Sequence, residues 1–546
     1  MDLVLVGLPG GGKTAAARRL ARRHQAELID LDEVIAAEAG QSIPAIFDEE
    51  GEAGFRARER AAVVALGPPD PAPGLRRVIS TGGGAPVDPR NRWLLYRGRR
   101  VAWLDAPAEV LAQRIRRSPN PRPLLTGRDP IGKMRELAVA RARFYAPGLR
   151  VNGLVGLTGV VEALERHVED PFTEGTTLLR AQTEFGRYEL GEGNAVAGVL
   201  AALVALGARR AILVSEPRAW EVAGVAIAAG LTAAGMPVER LLLPEGEAAK
   251  RIAVVGGAAS ELARLRAERS DPLVAIGGGA LGDTAGFLAA TWLRGVPIIH
   301  VPTTLVAQVD SSIGGKTGVD LPEGKNLVGA FHQPAAVVVD VRFLRTLPSR
   351  QLRGALGEAV KMAALGDERL FELLEADGPA IAAGDAHAHD EGPIAEVVER
   401  CGWAKIEVVA ADEREHGGRI NLNLGHSLAH AIEAAAAYAG ILHGEAVAYG
   451  LRAACRIGVV VETTPPERAA RIEALLDALD LGRAPLPYPL ADVLGALATD
   501  KKHAGGRLRW VLPTATGVAV RDDVPGEAVE AAARSVLAGV RAEVQA

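Results

Sequence analysis

The sequence contains two cysteines, Cys401 and Cys455, too few for a disulfide framework or a cysteine-rich metal site. It has no excess of positive charge. Lys and Arg total 62 against 67 Asp and Glu, a net charge of -5, which removes the electrostatic case for binding nucleic acid. No apolar run reaches the length of a transmembrane helix, and the short Val/Leu stretch after Met1-Asp2 is unlike a signal peptide. No membrane partner is therefore expected, and a cytoplasmic location with reduced thiols is. Lysine is also scarce: it occurs only at 13, 133, 250, 316, 325, 361, 405, 501 and 502, and arginine supplies the other basic residues. The two are nearly interchangeable on a solvated surface, but not where a compact ammonium or a titratable amine is needed. The remaining lysines are thus candidates for chemistry.

What is present describes a globular chain. Its 546 residues exceed one hydrophobic core and suggest three or four domains at about 150 residues each. Apolar residues at 48% and charged residues at 24% exclude a largely disordered protein. Residues 1–168 open on the strand-like Leu3-Val4-Leu5-Val6, then a glycine loop, then a helical pattern over 14–23. Strand–helix alternation continues through Val78-Ile79-Ser80 and Val101-Ala102-Trp103-Leu104, predicting an α/β domain with a mainly parallel sheet. Residues 169–176 lose periodicity and gather turn residues, so a linker is expected there. A second α/β region covers 177–344, with strands expected at 211–215, 273–276 and 298–301. From 345 to 546 strand signals almost vanish until 509–512, predicting a mostly helical subdomain.

Gly7-Leu8-Pro9-Gly10-Gly11-Gly12-Lys13-Thr14 fits G-x-x-x-x-G-K-[ST] and lies between a strand and a helix. In such a loop backbone N–H groups wrap phosphates, the lysine reaches the outer phosphates, and the hydroxyl ligates Mg²⁺. Asp30-Leu31-Asp32 is expected to close the second strand and set two carboxylates at the sheet's carboxyl edge. Phe47, Gly51-Glu52, Phe55-Arg56-Ala57-Arg58-Glu59, Ser80-Thr81-Gly82-Gly83-Gly84, Arg122-Pro123-Leu124-Leu125, Arg141 and Tyr145 follow. An acidic base beside several guanidinium groups and a glycine bend suits a small hydroxylated carboxylate.

The second region carries Pro244-Glu245-Gly246-Glu247 before Lys250, then Gly277-Gly278-Gly279-Ala280-Leu281-Gly282-Asp283 after an apolar strand, a position suited to a pyrophosphate. Polar motifs follow around Thr303-Thr304, over 308–316, and at Gly324-Lys325-Asn326. Glu358 and Lys361 share a helix face, as do His426 and His430, and His443 stands in His443-Gly444-Glu445. Two histidines and a carboxylate with an open position make a catalytic rather than a structural zinc site. Spacing alone leaves open which two of the three histidines are ligands.

Residues 1–165 resemble shikimate kinase in the phosphate loop, D-x-D, G-E-x-x-F-R-x-x-E, the triple glycine and R-P-L-L. The resemblance implies a P-loop α/β/α fold acting on shikimate with ATP and Mg²⁺. Gly10, Gly11, Gly12, Lys13 and Thr14 would hold the nucleotide, and Thr14 and Asp30 would serve Mg²⁺. Asp32 would bind shikimate and accept its hydroxyl proton, while Arg56 and Arg141 clamp the carboxylate. Gly83 would line the pocket, and Arg122 would close with a lid over the transferring phosphate.

Residues 177–540 resemble 3-dehydroquinate synthase in a long ordered series: P-x-G-E-x-x-K, G-G-G-x-x-G-D, P-T-T-L, Q-V-D-S-S-I-G-G-K-T, G-K-N-L-x-G-A-F, G-E-x-x-K, D-E-x-E-x-G-x-R, L-N-x-G-H-S, H-G-E and D-K-K. This resemblance implies a Rossmann-like subdomain followed by a helical one, NAD and Zn²⁺ or Co²⁺ as cofactors, a homodimer, and 3-deoxy-D-arabino-heptulosonate 7-phosphate as substrate. Glu358, His426 and His443 would hold the metal, with His430 a non-ligand beside the substrate. Glu247, Lys250, Gly278, Gly279, Asp283, Thr303, Thr304, Lys316, Lys325, Phe343 and Thr346 would contact NAD. Asp310, Lys316, Lys361, Lys405, Arg419 and one of Lys501 and Lys502 would act on the substrate, with Arg294, Asn326 and Asn423 binding it. Lys133 is the one lysine outside every motif. The rival readings are another sugar-phosphate cyclase, a glycerol-type dehydrogenase, and a silent N-terminal scaffold. Lys405, Arg419 and Asn423 beside the histidines speak against the first two, and intact Lys13, Asp32, Arg56 and Arg122 against the third.

Overall fold

A computed structural model describes residues 1–70, 74–96, 98–117, 129–146, 148–169, 177–182, 187–192, 194–322, 324–385, 388, 392–415, 417–438, 440–503 and 508–539. The chain forms two compact units, Met1–Gly191 and Glu192–Ala546. Residues 170–176, most of the expected linker, lie outside the described residues.

The first unit is built on strands β1 (Asp2–Val6), β2 (Glu27–Asp30), β3 (Arg77–Ser80), β4 (Arg100–Asp105) and β5 (Leu149–Asn152), all parallel in the order β2-β3-β1-β4-β5. Leu3 and Leu5 of β1 are buried against Ala16, Ala17 and Leu20 of helix Lys13–His24 and Val160, Val161 and Leu164 of helix Gly156–Glu169. The parallel order sets the carboxyl ends of β1, β2 and β3 side by side, which brings the phosphate loop, Asp30 and the triple glycine to one edge. The D-x-D expectation needs one correction. Asp30 ends β2, but Asp32 lies in the first turn of helix Leu31–Ala39. The cause is local: the Asp30 carboxylate accepts from the backbone N–H groups of Asp32 (3.1 Å) and Glu33 (3.4 Å), a side-chain cap that starts the helix at once.

In the second unit, β8 (Ala211–Ser215), β9 (Val238–Leu242), β10 (Leu273–Gly277), β11 (Ile298–Pro302) and β14 (Ala336–Val339) run parallel in the order β14-β11-β10-β8-β9. Apolar clusters cover both faces of this sheet. β6 (Thr177–Gln182) and β7 (Arg187–Glu192) form an antiparallel hairpin. A second antiparallel hairpin, β12 (Lys316–Leu321)–β13 (Gly324–Phe331), had read from sequence only as polar motif. Its pairing rests on missing side chains, since a Cβ at Gly329 would strike the Thr317 carbonyl oxygen on the facing strand.

Beyond Thr346 the described chain is helical except for β15 (Trp510–Pro513), as expected, and its unanticipated partner β16 (Val518–Arg521). Two close approaches shape this part. Helix Ser349–Ala364 crosses helix His443–Val460 where Gly354 and Gly357 face Gly444, and a Cβ at Gly357 or Gly444 would overlap a facing backbone carbonyl. Gly450 abuts Gly425 in the same way, and Gly425 (φ 78°) caps helix His426–Ala435. These contacts draw Glu358, His426 and His443 together. Gly444→Ala should therefore lower stability against chemical unfolding by about 1–3 kcal/mol or more from overpacking. That exceeds the roughly 0.5–1 kcal/mol which alanine normally adds inside a helix. An unchanged midpoint would show that the crossing has slack. Among the described residues, no helix is long and apolar enough to cross a membrane.

Candidate active sites

The kinase-like edge is assembled from three loops. The phosphate loop turns through positive φ at Gly7, Gly10 and Gly12, and Gly12 caps helix Lys13–His24. The buried Lys13 ammonium curls back over the loop to donate to the carbonyls of Gly7 (2.8 Å) and Leu8 (3.1 Å). The Thr14 hydroxyl donates to Asp30 Oδ2 at 2.7 Å and lies 3.4 Å from Ser80 Oγ. Hydroxyl and carboxylate thus sit together at a helix N-terminus, a donor set that fits a Mg²⁺ ion beside bound phosphates.

Next to this cluster, Arg56 pairs with the buried Glu59 at 2.7 Å and with Glu52 at 3.2 Å. Burial pushes the Glu59 carboxyl up, and the Arg56 guanidinium opposes it. Arg141 donates to the Gly83 carbonyl at 2.9 Å, and the Tyr145 hydroxyl donates to the same oxygen. Burial pushes the Tyr145 phenol up to about 12, so it remains a donor. Gly82 leaves room for its neighbours: a Cβ there would stand 2.8 Å from Asp32 Oδ1 and 3.2 Å from Glu59 Oε1. Asp32 and Glu59 thus both adjoin Gly82, Arg56 pairs with that Glu59, and Arg141 bonds to the neighbouring Gly83. Arg122 lies outside the described residues.

In the second unit the three glycines after β10 lead into helix Gly279–Thr291, and Thr303 donates its N–H to the Gly277 carbonyl at 3.0 Å. A Cβ on Gly278 would meet Thr304 at 3.1 Å, and one on Gly279 would meet Ser311 Oγ at 2.8 Å. Lys250 pairs with Asp283 (2.8 Å) and donates to Asn326 Oδ1 (2.6 Å), while Lys325 lies 3.6 Å from Glu247. Burial opposes the charge on Lys250, but Asp283 and Glu247 outweigh it and raise the ammonium. Phe343 and Thr346 occupy the turn Val341–Thr346 beyond β14.

Glu358 is fully buried on helix Ser349–Ala364. Its Oε1 lies 3.0 Å from His443 Nε2 and 3.5 Å from His426 Nε2, and the three side chains offer ligand atoms all within 4.8 Å of one another. Burial alone would raise the Glu358 carboxyl, but Lys361 and His426 outweigh it and hold it well below the usual carboxylate range. A buried carboxylate met by two imidazole nitrogens fits Zn²⁺ or a similar divalent ion. His430 is not part of this cluster. It is solvent-exposed, with its ring 5.4 Å from His426 and 6.2 Å from His443.

Lys361 Nζ is 2.6 Å from Glu358 Oε2 and 3.7 Å from Asp310 Oδ1, and Lys405 Nζ is 3.0 Å from the same Asp310 oxygen. Burial lowers Lys405 despite Asp310, whereas Glu358 and Asp310 overcome burial and raise Lys361. The carboxylate Asp310 thus ties both ammonium groups to the metal cluster. Arg419 is buried, donating to the carbonyls of Gly314 (2.8 Å) and Glu413. Lys316 is instead paired with Glu415 at 2.8 Å, and Arg294 is exposed on the turn Trp292–Arg294. Asn423 ends the turn Gly418–Asn423, three residues before His426. Lys501 and Lys502 lie on helix Leu490–His503, and their side chains fall outside the description.

Sequence reasoning overlooked Glu433, whose Oε1 lies 3.3 Å from His443 Nδ1. The signal was present, because His426, His430 and Glu433 recur at i, i+4 and i+7 on one helix face. Glu415 stands within the D-E-x-E-x-G-x-R match, but its pairing with Lys316 was not anticipated.

Both parts of the chain are similar to known proteins. The family model for shikimate kinase matches residues 9–148. Those for the 3-dehydroquinate synthase N-terminal and C-terminal regions match 240–354 and 355–503. A 3-dehydroquinate synthase of Jannaschia sp. (strain CCS1) is 43% identical over 369 residues, 65% of this chain and 98% of that protein. Among solved structures, 2-epi-5-epi-valiolone synthase from Streptomyces hygroscopicus with NAD⁺ and Zn²⁺ bound is 29% identical, with a TM-score of 0.59 over 64% of this chain and 96% of that one. A 2-deoxy-scyllo-inosose synthase complexed with carbaglucose-6-phosphate, NAD⁺ and Co²⁺ is 26% identical, with a TM-score of 0.57 over 65% and 99%. With nearly the whole length of a curated relative covered, the chain belongs to the 3-dehydroquinate synthase family, and with a shikimate kinase domain ahead of that region it is a bifunctional enzyme of the shikimate pathway.

Proposed function

We propose that the two activities are carried by the two clusters described above, the loop edge around Lys13, Asp30 and Asp32 for phosphorylating shikimate, and the Glu358–His426–His443 cluster for cyclising 3-deoxy-D-arabino-heptulosonate 7-phosphate. The observation that carries the synthase assignment is the meeting of Glu358, Lys361, Asp310 and Lys405 with two imidazoles. In the kinase, Lys13 and the loop N–H groups hold the ATP phosphates, and Thr14 with Asp30 holds Mg²⁺. Asp32 accepts the proton of the attacking hydroxyl, while Arg56 and Arg141 fix the carboxylate opposite. Arg122 belongs to the same assignment.

In the synthase, Glu358, His426 and His443 would hold Zn²⁺ or Co²⁺, and the glycine loop with Glu247, Lys250, Asp283, Thr303, Thr304 and Lys325 would hold NAD. When bound, the metal would supply Lewis acidity toward the substrate hydroxyls, and NAD would supply a reversible hydride acceptor. Lys361 and Lys405 bind and orient the anionic substrate. Asp310 keeps both ammonium groups aimed at the same point. Arg419, bonded to Gly314, holds the 314–316 turn that carries Lys316. His430, exposed beside the cluster, is placed to pass a proton to solvent.

We further assign residues 1–168 to the kinase and 177–546 to the synthase, divided near 344 into nucleotide and metal subdomains. The kinase core is complete once Val168 of helix Gly156–Glu169 is packed. Fragments 1–172 and 173–546 should each retain their own reaction. Insoluble or inactive fragments would point instead to a large shared interface. A homodimer through the synthase part and a cytoplasmic location complete the reading, the latter in keeping with two free, buried cysteines. The direct test is product analysis of the purified chain. Shikimate with ATP should give shikimate 3-phosphate, and the heptulosonate phosphate with NAD should give 3-dehydroquinate and phosphate. Absence of either product overturns that half.

A further inference from the structure

We infer that Glu433 is a positioning residue for the metal, acting through His443; this rests on the proposed ligand set Glu358, His426 and His443. Each ligand atom of that set has a partner on its far side that selects it. Lys361 occupies Glu358 Oε2 at 2.6 Å and leaves Oε1 toward the histidines. The Leu424 carbonyl lies 3.2 Å from His426 Nδ1, which places the ring proton there and the Nε2 lone pair inward. Glu433 Oε1 does the same for His443, at 3.3 Å from Nδ1.

The third case differs from the second in two ways. The partner is a carboxylate rather than a carbonyl, so it also makes the imidazole a stronger donor to a cation. His443 also needs more support. It is the first residue of its helix, and its side chain is 36% exposed against 12% for His426, so packing alone does not fix the ring. Glu433 is 9% exposed and comes from the same helix as His426. One short helix thus supplies one ligand and orients another seven residues later. No step of the proposed reaction uses Glu433 directly.

The test is zinc affinity of the full-length protein, measured by competition with a chromophoric chelator, alongside the unfolding temperature of the metal-free chain. Glu433→Ala should weaken zinc binding by roughly 10–100-fold. Glu433→Gln should fall between it and the parent, since an amide oxygen still accepts the Nδ1 proton but carries no charge. Neither change should shift the metal-free unfolding temperature in proportion. Parent-like zinc affinity in both variants overturns the inference, as does an affinity loss that merely follows loss of the metal-free fold. If only Glu433→Gln folds, parent-like affinity in that variant overturns it. His443→Ala separates this inference from the reading beneath it. Zinc retained there means the ligand set itself is wrong. Zinc lost there but held normally by Glu433→Ala removes only the role given to Glu433.

Discussion

His443→Ala and His426→Ala should each leave the purified protein without stoichiometric zinc, with synthase turnover down by roughly a hundred- to a thousandfold and shikimate phosphorylation unchanged. The size follows from the geometry. The two imidazole nitrogens and Glu358 Oε1 converge on one point, and removing an imidazole leaves an ion with two protein ligands. It also leaves Glu358 buried with less to offset its charge, since His426 and His443 both act to keep it ionised. His430→Ala should keep its zinc, because its exposed ring contributes no atom to the cluster. Metal analysis of the three variants beside both activity assays decides the matter. Stoichiometric zinc in His443→Ala would defeat the ligand assignment.

Lys361→Arg and Lys405→Arg should each reduce the synthase by roughly 100-fold or more, the loss of an oriented electrostatic contact, or about 2.7 kcal/mol of transition-state stabilisation. Arginine keeps the charge, so a purely electrostatic view would predict little change. Shape decides otherwise. Lys361 is 1% exposed, with its ammonium 2.6 Å from Glu358 and 3.7 Å from Asp310, and no space remains for a planar fork. Lys405 donates to the Asp310 carbonyl at 2.6 Å and faces that residue's carboxylate at 3.0 Å, a pairing suited to one compact donor. Lys13→Arg should abolish the kinase and spare the synthase, because the Lys13 ammonium is folded within the phosphate loop. Lys133 makes the contrast. It lies exposed on helix Pro130–Tyr145, paired with Glu136 one turn away, and Lys133→Arg should be nearly silent. Should all four variants behave alike in both assays, the scarcity of lysine carries no functional meaning in this chain.

The parallel strands were legible because buried strands such as Ala211–Ser215 are unbroken apolar runs. The β12–β13 hairpin was not, because Leu327 and Phe331 are exposed on it, which breaks the usual apolar-in, polar-out alternation, and its pairing depends on Gly318 and Gly329. The second strand was expected to close on Asp30-Leu31-Asp32, but the Asp30 side-chain cap ends it at Asp30 and starts the helix at Leu31. In the sites, residue types and spacing pointed to the P-loop, the three histidines and the lysines. They could not rank the histidines, since i, i+4 spacing puts His426 and His430 on the same face. What separates them is the crossing of helix His443–Val460 over helix Ser349–Ala364, a long-range contact with no trace in local periodicity. Lys316 was assigned to substrate and NAD together. Its pairing with Glu415 joins two motifs 99 residues apart, and neither motif announces the contact.

The glycines at that crossing, and Gly450 where it abuts Gly425, bear on mutational tolerance as well as on packing. At most buried positions a scan of substitutions shows graded losses, because a neighbour can trim or rotate a side chain. At Gly357, Gly444 and Gly450 the obstacle is a backbone carbonyl, which has no rotamer to change. A saturation library selected for synthase function should therefore be all-or-none at these three positions. At the exposed Gly256, where no described atom lies within 4 Å of an added Cβ, it should be permissive. Such a library would outline the metal site by which methyl groups are forbidden, at positions that never touch the ion.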